Sequence, residues 1–176
     1  MNSDIDKHAK TDANAPAQYL TFVLGGESFG IGIMAVKEII EFGSVTEVPM
    51  MPASIRGVIN LRGAVVPVMD LAARFGRPPA VPGKRTCIVI VELEVEGERQ
   101  VTGVVVDAVS AVLDIAAAEI EPAPSFGTRI RSDFIAGMGK VNGKFVILLN
   151  VEQVLRLEGL TGLAGNAPNA TDLAAA

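Results

Sequence analysis

Short aliphatic runs separated by turn residues follow one another along the central part of the chain. The runs "YLTFVL", "AVVPVM", "TCIVIVEL" and "KFVILL" are rich in aliphatic and β-branched residues and lie between segments containing Gly, Asn or charged residues. Short strands with turn signals at regular intervals are typical of a β-sandwich or a β-barrel. Asn142–Gly143 gives the clearest hairpin, because a type I′ turn needs a positive φ at both central residues. The pattern therefore predicts an all-β fold.

Two short helices are predicted, each directly after a strand. Asp70 precedes "LAARFG" and Asn150 precedes "VEQVLRLEG", so each segment begins with an N-cap residue and ends at a glycine. A third segment, "MAVKEII", has apolar residues at helical spacing but is also rich in β-branched residues. Its periodicity leaves helix and strand both open.

An internal repeat is visible when the chain is aligned with itself. "GVINLRGAVVPVMDL" from Gly57 aligns with "GMGKVNGKFVILLNV" from Gly137, and the upstream "GIGIMAVKEII" aligns with "GVVVDAVSAVL". Two blocks in the same order and at nearly the same spacing favour duplication. We therefore predict two similar β-barrel lobes, roughly 18–76 and 85–157, joined by the Pro-rich "GRPPAVPGK". Strands could also cross between the lobes.

The two ends of the chain differ in composition from this central domain, 17–157. Residues 1–16 are polar, and residues 158–176 are small, Gly- and Ala-rich and nearly uncharged, so we expect a disordered N-terminal tail and a flexible C-terminal tail. The N-terminus lacks the apolar core of a signal peptide. The apolar run "VTGVVVDAVSAVLDIAAA" contains Asp107 and Asp114, which a membrane-spanning helix disfavours, and it is predicted to be buried strand.

Composition and charge argue against a nucleic-acid partner. The 176 residues carry a formal net charge of −5, and aromatic residues make up 5% of the chain, with no Trp and one Tyr. Phosphate binding needs clustered Lys and Arg, and base stacking needs aromatic platforms. Because small barrels often bind nucleic acid, a nucleic-acid-binding module is nevertheless the alternative function.

The residues that could perform catalysis are few and isolated. The single histidine, His8, lies in the predicted tail, and the single cysteine, Cys87, lies in a predicted strand with no histidine to activate it. One cysteine also fits a reducing cytoplasm. No His or Cys cluster has the spacing of a metal site. We therefore expect no enzymatic activity and no cofactor or metal.

A binding surface is the remaining candidate site. The aligned pairs Val36/Ile39 and Val109/Val112 could face the seam between the lobes and form an apolar groove of the kind that accepts an amphipathic helix. The same periodicity would also suit plain lobe–lobe core. Arg62, at the tip of the hairpin "NLRG", could pair with acidic groups of a partner or could be an ordinary solubilising turn residue.

Several ordered blocks resemble the CheW family of bacterial chemotaxis coupling proteins. They are "YLTFVLGGESFGIGIMAVKEII", "VTEVPMMPASIRGVINLRGAVVPVMDLAARFG", "GVVVDAVSAVL", "IEPAP" and "FIAGMGKVNGKFVILLNVEQVL", and they span about residues 17–157. The resemblance implies two SH3-like five-stranded β-barrel lobes with short helices after strands. It also implies a non-enzymatic cytoplasmic adaptor, located at membrane-associated receptor arrays through its partners, without membrane insertion.

The resemblance also implies two partners and the residues that contact them. One partner is the cytoplasmic hairpin tip of chemoreceptors, and the other is the regulatory domain of the histidine kinase CheA. The expected receptor-binding residues line a groove between the barrels: Val36, Glu38, Ile39, Gly57, Arg62, Cys87 and Val112. The expected kinase-binding residues are Ile33, Val65 and Phe126. Cys87 departs from the aliphatic residue that is common in the family at that position.

Overall fold

Two mostly antiparallel β-sheets dominate residues 17–123 and 130–156, which the computed structural model describes. In spatial order, the six-stranded sheet consists of β8 (Ala108–Ile115), β1 (Ala17–Leu24), β2 (Glu27–Gly32), β11 (Lys144–Leu149), β10 (Ile135–Val141) and β9 (Ile120–Glu121). The five-stranded sheet consists of β3 (Val36–Glu41), β6 (Cys87–Val95), β7 (Glu98–Val106), β5 (Ala64–Asp70) and β4 (Ile55–Leu61). Each sheet forms one of two SH3-like lobes, which confirms the predicted all-β fold, although the first lobe includes β9 as a sixth, two-residue strand.

The two predicted helices are present and begin where the sequence placed them. α1 (Leu71–Arg74) follows β5, and the Asp70 carboxylate accepts a hydrogen bond from the Ala73 N–H at 3.2 Å. α2 (Val151–Leu155) follows β11, and the Asn150 side chain accepts from the Gln153 N–H at 3.3 Å. Single turns of 3₁₀ helix lie at Ile33–Ala35, Ala117–Glu119 and Ser132–Phe134. The ambiguous "MAVKEII" segment forms one of these turns and then strand β3, as its β-branched residues favour.

The lobes exchange strands, a possibility that the sequence left open, so each lobe draws on both 18–76 and 85–157. The β1–β2 hairpin joins β8, β10 and β11 from the second half of the chain, and the β6–β7 hairpin joins β3, β4 and β5 from the first half. The exchanged hairpins pair with the other half of the chain through two parallel ladders, β11 with β2 and β5 with β7, and two antiparallel ones, β1 with β8 and β3 with β6. The β4–β5 and β6–β7 hairpins therefore share one lobe, and the β1–β2 and β10–β11 hairpins share the other, which local sequence patterns do not reveal.

The internal repeat reappears in the registers of these ladders. Gly30 pairs with Leu148 in one lobe, and the aligned residue Gly103 pairs with Val68 in the other. A side chain at either glycine would press on its neighbours, at 3.0 Å from Leu148 Cδ2 for Gly30 and 2.7 Å from Ile88 Cγ2 for Gly103. The two glycines thus occupy equivalent positions in the parallel pairings of the two lobes, and each allows a close approach of neighbouring strands. This equivalence supports a duplicated unit in which each half of the chain contributes its first hairpin to the other lobe.

Most of the seam between the lobes is hydrophobic core. The largest buried cluster draws residues from both sheets and contains a row of four rings in which successive centroids are 6.0, 5.6 and 5.9 Å apart. The row consists of Phe22, Phe29, Phe75 and Phe134. Smaller clusters fill the interior of each barrel. Since the exchanged hairpins contribute to the shared cluster, the lobes are expected to fold as one cooperative unit.

The long apolar run "VTGVVVDAVSAVLDIAAA" forms parts of two strands that differ in burial. Residues 102–106 of β7 are buried, as predicted, whereas most of β8 is half-buried or exposed, which corrects the prediction for that part. The difference arises because β8 lies at an edge of its sheet. Within residues 17–123 and 130–156, no helix is long and apolar enough to cross a membrane.

Arg74 connects the two helices. Its Nε donates to the Val154 carbonyl at 2.8 Å, its Nη2 donates to the Arg156 carbonyl at 3.0 Å, and its Cζ lies 4.5 Å from the centre of the Phe134 ring. Burial lowers the pKa of the Arg74 guanidinium, and the nearby Arg131 acts in the same direction. Arg74 therefore satisfies carbonyl groups at the end of α2 that the helix itself leaves free.

We expect Arg74→Met to lower the free energy of unfolding by roughly 2–3 kcal/mol, because it removes charge-assisted hydrogen bonds and leaves their acceptors unpaired. Urea unfolding followed by circular dichroism measures the change. Arg156→Met is the matched control, since its exposed guanidinium lies 3.5 Å from Glu152 and should cost at most about 0.5 kcal/mol. Equal losses in the two variants would contradict the connecting role.

Candidate functional site

Strand β3 presents the first part of the candidate site at an edge of the five-stranded sheet. Val36 pairs with Val91 and Ile39 pairs with Val89, and a register shift between Val36 and Glu38 places both apolar residues on one face. Val89 and Val91 belong to the core shared by the lobes. Val36 packs against this core and is half-buried, whereas Ile39 remains 42% exposed.

Strand β8 repeats this arrangement in the other lobe. Val109 pairs with Phe22 and Val112 pairs with Leu20, and both partners belong to the same shared core. Val109 packs against that core, while Val112 is 49% exposed. The core interpretation therefore holds for Val36 and Val109, whereas Ile39 and Val112 are exposed, and the interpretation of these two as part of a partner-binding groove stays a prediction.

Arg62 lies at a hairpin tip, as predicted, but it already has a partner within the chain. Arg62 and Gly63 have φ values of 52° and 86°, which a type I′ turn requires, and the Asn60 side chain accepts from the Gly63 N–H at 2.8 Å. Arg62 Nη2 donates to Glu38 Oε2 at 2.7 Å. Within the chain Arg62 therefore forms an ion pair with Glu38, which the sequence did not predict, and its contact with a partner stays a prediction.

The two members of this ion pair differ in exposure. The Arg62 side chain is 71% exposed, whereas the Glu38 side chain is 22% exposed and its Oε1 is buried without a hydrogen-bond partner among the described residues. Because the arginine side is open to water, the pair itself contributes little to stability. An unpaired buried carboxylate oxygen is costly, so a donor that reached it would gain free energy.

Gly57 is buried, and its backbone admits a neighbouring segment. Its φ is 154°, and a Cβ built there would overlap the carbonyl of Thr46 and approach Val45 Cγ1 at 2.9 Å. Thr46 exchanges two backbone hydrogen bonds with Val58, at 2.9 and 2.8 Å. The absence of a side chain at Gly57 therefore allows the Thr46 segment to pack directly against β4.

Cys87 begins β6 at the margin of the shared core. It is half-buried and packs against the core cluster, and its thiol donates to the Arg85 carbonyl at 3.2 Å. Because side chains alternate along β6, Cys87 lies on the same face as Val89, and Val89 is the residue that pairs with Ile39. Val36, Ile39 and Cys87 thus share one face of the five-stranded sheet, while Val112 lies on the other lobe.

The residues expected to contact a kinase fall in three different settings. Ile33 is half-buried in a 3₁₀ turn and packs against the shared core. Val65 is 60% exposed on β5, opposite Asn60. Phe126 lies outside the described residues.

Among the described residues, four exposed large apolar side chains were not identified from the sequence: Met34, Met50, Val81 and Phe145. Phe145, which the repeat aligns with Val65, is 50% exposed, and Met34, beside Ile33, is 94% exposed. The repeat alignment could have identified Phe145, since it already matched the neighbouring residues Val66 and Val146. No pattern in the sequence distinguishes Met34 from an ordinary core methionine.

The chemistry available on these surfaces is that of binding. In the part of the chain that the structure describes, no group of three His, Cys, Asp or Glu side chains is arranged to hold a metal ion. The candidate site offers exposed aliphatic groups, one ion pair and one unpaired carboxylate oxygen. These are groups that recognise an apolar partner surface carrying hydrogen-bond donors.

Comparison with known proteins gives consistent matches along most of the chain. Residues 18–159 match the family model described as a CheW-like domain. The chemotaxis protein CheW of Klebsiella aerogenes is 36% identical over 141 residues, covering 80% of this chain and 82% of that protein. The chemotaxis protein CheW of Rhizobium meliloti is 34% identical over 150 residues, covering 85% and 94%. The crystal structure of the scaffolding protein TtCheW from Thermoanaerobacter tengcongensis superposes with a TM-score of 0.73 at 36% identity, covering 82% of this chain and 90% of that one.

Proposed function

This chain belongs to the CheW family, whose members are chemotaxis coupling adaptors, and we propose that it joins chemoreceptors to the histidine kinase CheA without catalysing a reaction. It would act in the cytoplasm, at receptor arrays to which its partners recruit it. The net charge of −5 and the family membership disfavour the nucleic-acid-binding alternative.

The receptor would bind along the edge strands that carry the exposed apolar residues. The observation that carries this proposal is the exposure of Ile39 and Val112 at aligned positions of the repeat, each beside a valine that packs on the shared core. A helical hairpin tip has apolar residues at intervals that such a surface can accept. Val36 and Cys87 would extend the same face, and Gly57 would hold its shape.

The ion pair would give the apolar contact its orientation. Arg62 is exposed enough to change partners, and Glu38 Oε1 would accept a hydrogen bond from a donor on the receptor. Such exchange costs little, because an exposed ion pair contributes little before binding. Coupling then requires only that these contacts differ in free energy between the receptor's signalling states.

The kinase would bind a different face. Val65 is exposed on β5, Ile33 lies in the turn before β3, and Phe126 would contribute a second contact. Val65 points away from the interior of its barrel, because its neighbour Val66 is buried there. Ile39 also points away from that interior, but β6 and β7 separate β5 from β3 in the sheet, so contacts centred on Val65 would leave room for both partners to bind together.

We expect Val112→Ser to weaken capture of a receptor cytoplasmic fragment about fivefold to tenfold, because a half-exposed valine contributes roughly 1 kcal/mol when it is buried at an interface. Val65→Ser is the reciprocal variant and should weaken binding of the CheA regulatory domain while leaving receptor capture unchanged. Surface-immobilised binding assays with each partner measure both effects, and thermal melts check the fold. Equal loss of both partners in either variant would contradict two separate faces.

A further inference from the structure

A cationic cleft lies between the end of β1, helix α1 and the segment that connects the two halves of the chain. Its lining includes Leu24, Gly25, Ala72, residues of 77–86 and Asp107, and its volume is about 530 Å³. This volume falls within the range of ligand-binding clefts. None of the described residues proposed above to contact the receptor or the kinase lines the cleft, although Cys87 directly follows Thr86.

Basic side chains dominate the charge of this cleft. Arg77, Lys84 and Arg85 line it, and Asp107 is the one acidic residue among the described residues of the lining. Arg77 is paired with Glu27 at 2.6 Å, and Asp107 Oδ2 accepts a hydrogen bond from the Gly25 N–H at 2.8 Å. Across residues 17–123 and 130–156, the side chains of Lys84 and Arg85 take part in no ion pair or hydrogen bond. Two free cations in one cleft are notable in a chain of net charge −5.

Apolar groups form much of the remaining lining, beside Thr86 and two glycines. Leu24, Ala72, Pro78, Ala80 and Val81 contribute to it, and Val81 is 87% exposed. An isolated exposed valine needs no explanation, but here it lies within a few residues of two unpaired cations. The cleft therefore offers an apolar surface beside positive charge.

The connecting segment that carries these groups is held in place at both ends. The carboxylate of Asp70, which is 1% exposed, accepts from the Ala80 N–H at 3.0 Å, and Arg56 donates to the Ala80 carbonyl at 2.7 Å. Three residues later, the Thr86 hydroxyl accepts from the Gly83 N–H at 2.7 Å. A binding loop fixed before its ligand arrives loses less conformational entropy on binding.

We propose that this cleft binds an acidic peptide segment in which carboxylates flank an apolar side chain. Carboxylates would pair with Lys84 and Arg85, and the apolar side chain would lie against Val81 and Ala80. A peptide carries both kinds of group, whereas an inorganic anion carries only charge. A bilayer surface is disfavoured because the cations line a concave cleft. The proposal is independent of the receptor and kinase faces, and it assigns the adaptor a third point of contact.

The test uses the full chain and an acetylated, amidated peptide of sequence Glu-Glu-Leu-Glu-Glu as the probe. Amide resonances of Gly25 and of residues 83–86 should shift during titration, and binding should weaken with added salt, as expected for partly exposed charges. In the double variant Lys84→Glu/Arg85→Glu the dissociation constant should rise at least about tenfold. Val81→Ser should raise it by a smaller factor, roughly threefold to fivefold.

A matched control separates local from general electrostatics. Lys140→Glu/Lys144→Glu makes the same charge change on the exposed β10–β11 hairpin and should leave the dissociation constant within about twofold of wild type. Receptor and kinase binding should be unchanged in Lys84→Glu/Arg85→Glu, so failure here is distinguishable from failure of the adaptor function. Absence of peptide binding, equal weakening in the control, or equally tight binding of inorganic phosphate or of phosphatidylglycerol vesicles at the same resonances would overturn the proposal.

Discussion

Gly57→Ala is expected to lower the free energy of unfolding by about 3 kcal/mol or more, because the new Cβ would occupy the position of the Thr46 carbonyl. Backbone atoms cannot rotate away as the end of a flexible side chain can. The Thr46–Val58 bridge would therefore have to separate, which breaks two backbone hydrogen bonds. Urea unfolding measures the loss, which should appear as a lower midpoint concentration with an unchanged m-value.

Gly63→Ala is the matched control for this substitution. Gly63 also has a positive φ, 86°, but a Cβ there would meet nothing within 4 Å. It should cost only the left-handed strain, about 1–2 kcal/mol. Equal losses at the two positions would show that strain alone, and not the collision with Thr46, governs Gly57.

The Gly57 prediction also changes how this residue is understood as part of the receptor site. Gly57 has no side chain and is buried, so it does not contact a partner directly. Its contribution is to let the Thr46 segment pack against β4 and form the surface there. Reduced receptor capture by Gly57→Ala should therefore be accompanied by a lower melting temperature. Val112→Ser should reduce capture with the melting temperature unchanged, since Val112 is half-exposed.

Features encoded by neighbouring residues were predictable from the sequence. The turn at Asn142–Gly143 has φ values of 52° and 78°, as its residue types predict, and both helix caps form at Asp70 and Asn150. In each case the physical cause lies within four residues of the effect. The repeat was also visible, because it depends only on comparing the chain with itself.

Features that depend on distant pairing were not predictable in the same way. The exchange of hairpins places Gly30 beside Leu148, and no local pattern distinguishes this pairing from one within the same half. The partner of Arg62 likewise depends on the path of β3, which brings Glu38 to within 2.7 Å of its guanidinium. Sequence reasoning singled out Arg62 as a hairpin-tip cation and the family resemblance implied both residues, but neither predicted that they pair with each other.

The two lobes share a backbone plan but not their charged contacts. The repeat aligns Arg56 with Ala136, Arg62 with Asn142 and Asp70 with Asn150. The ion pairs of the five-stranded lobe, Arg62 with Glu38 and Arg56 with Asp70, therefore have no counterpart at the aligned positions of the other lobe. Divergence after duplication has therefore left the Arg62–Glu38 pair on one lobe only, which supports the proposal that the receptor is oriented there.

Asp70→Ala is expected to cost about 3–5 kcal/mol of the free energy of unfolding, which is far more than the loss of a helix cap. Its buried carboxylate accepts from the Ala73 N–H, the Ala80 N–H and Arg56, at 3.2, 3.0 and 2.8 Å. The substitution leaves a half-buried guanidinium without its counter-ion and two backbone N–H groups without acceptors.

The repeat supplies the control for Asp70→Ala. Asn150 occupies the aligned position and accepts one backbone N–H in the same way, at 3.3 Å, but among the described residues its side chain binds no connecting segment and no arginine. Asn150→Ala should therefore cost about 1 kcal/mol, the ordinary contribution of an N-cap. Amide hydrogen exchange gives a second measurement, because only Asp70→Ala should accelerate exchange at Ala80 by releasing the segment that borders the cationic cleft. Equal destabilisation by the two variants, with Ala80 still protected, would mean that Asp70 acts only as a cap and that other contacts fix the connecting segment.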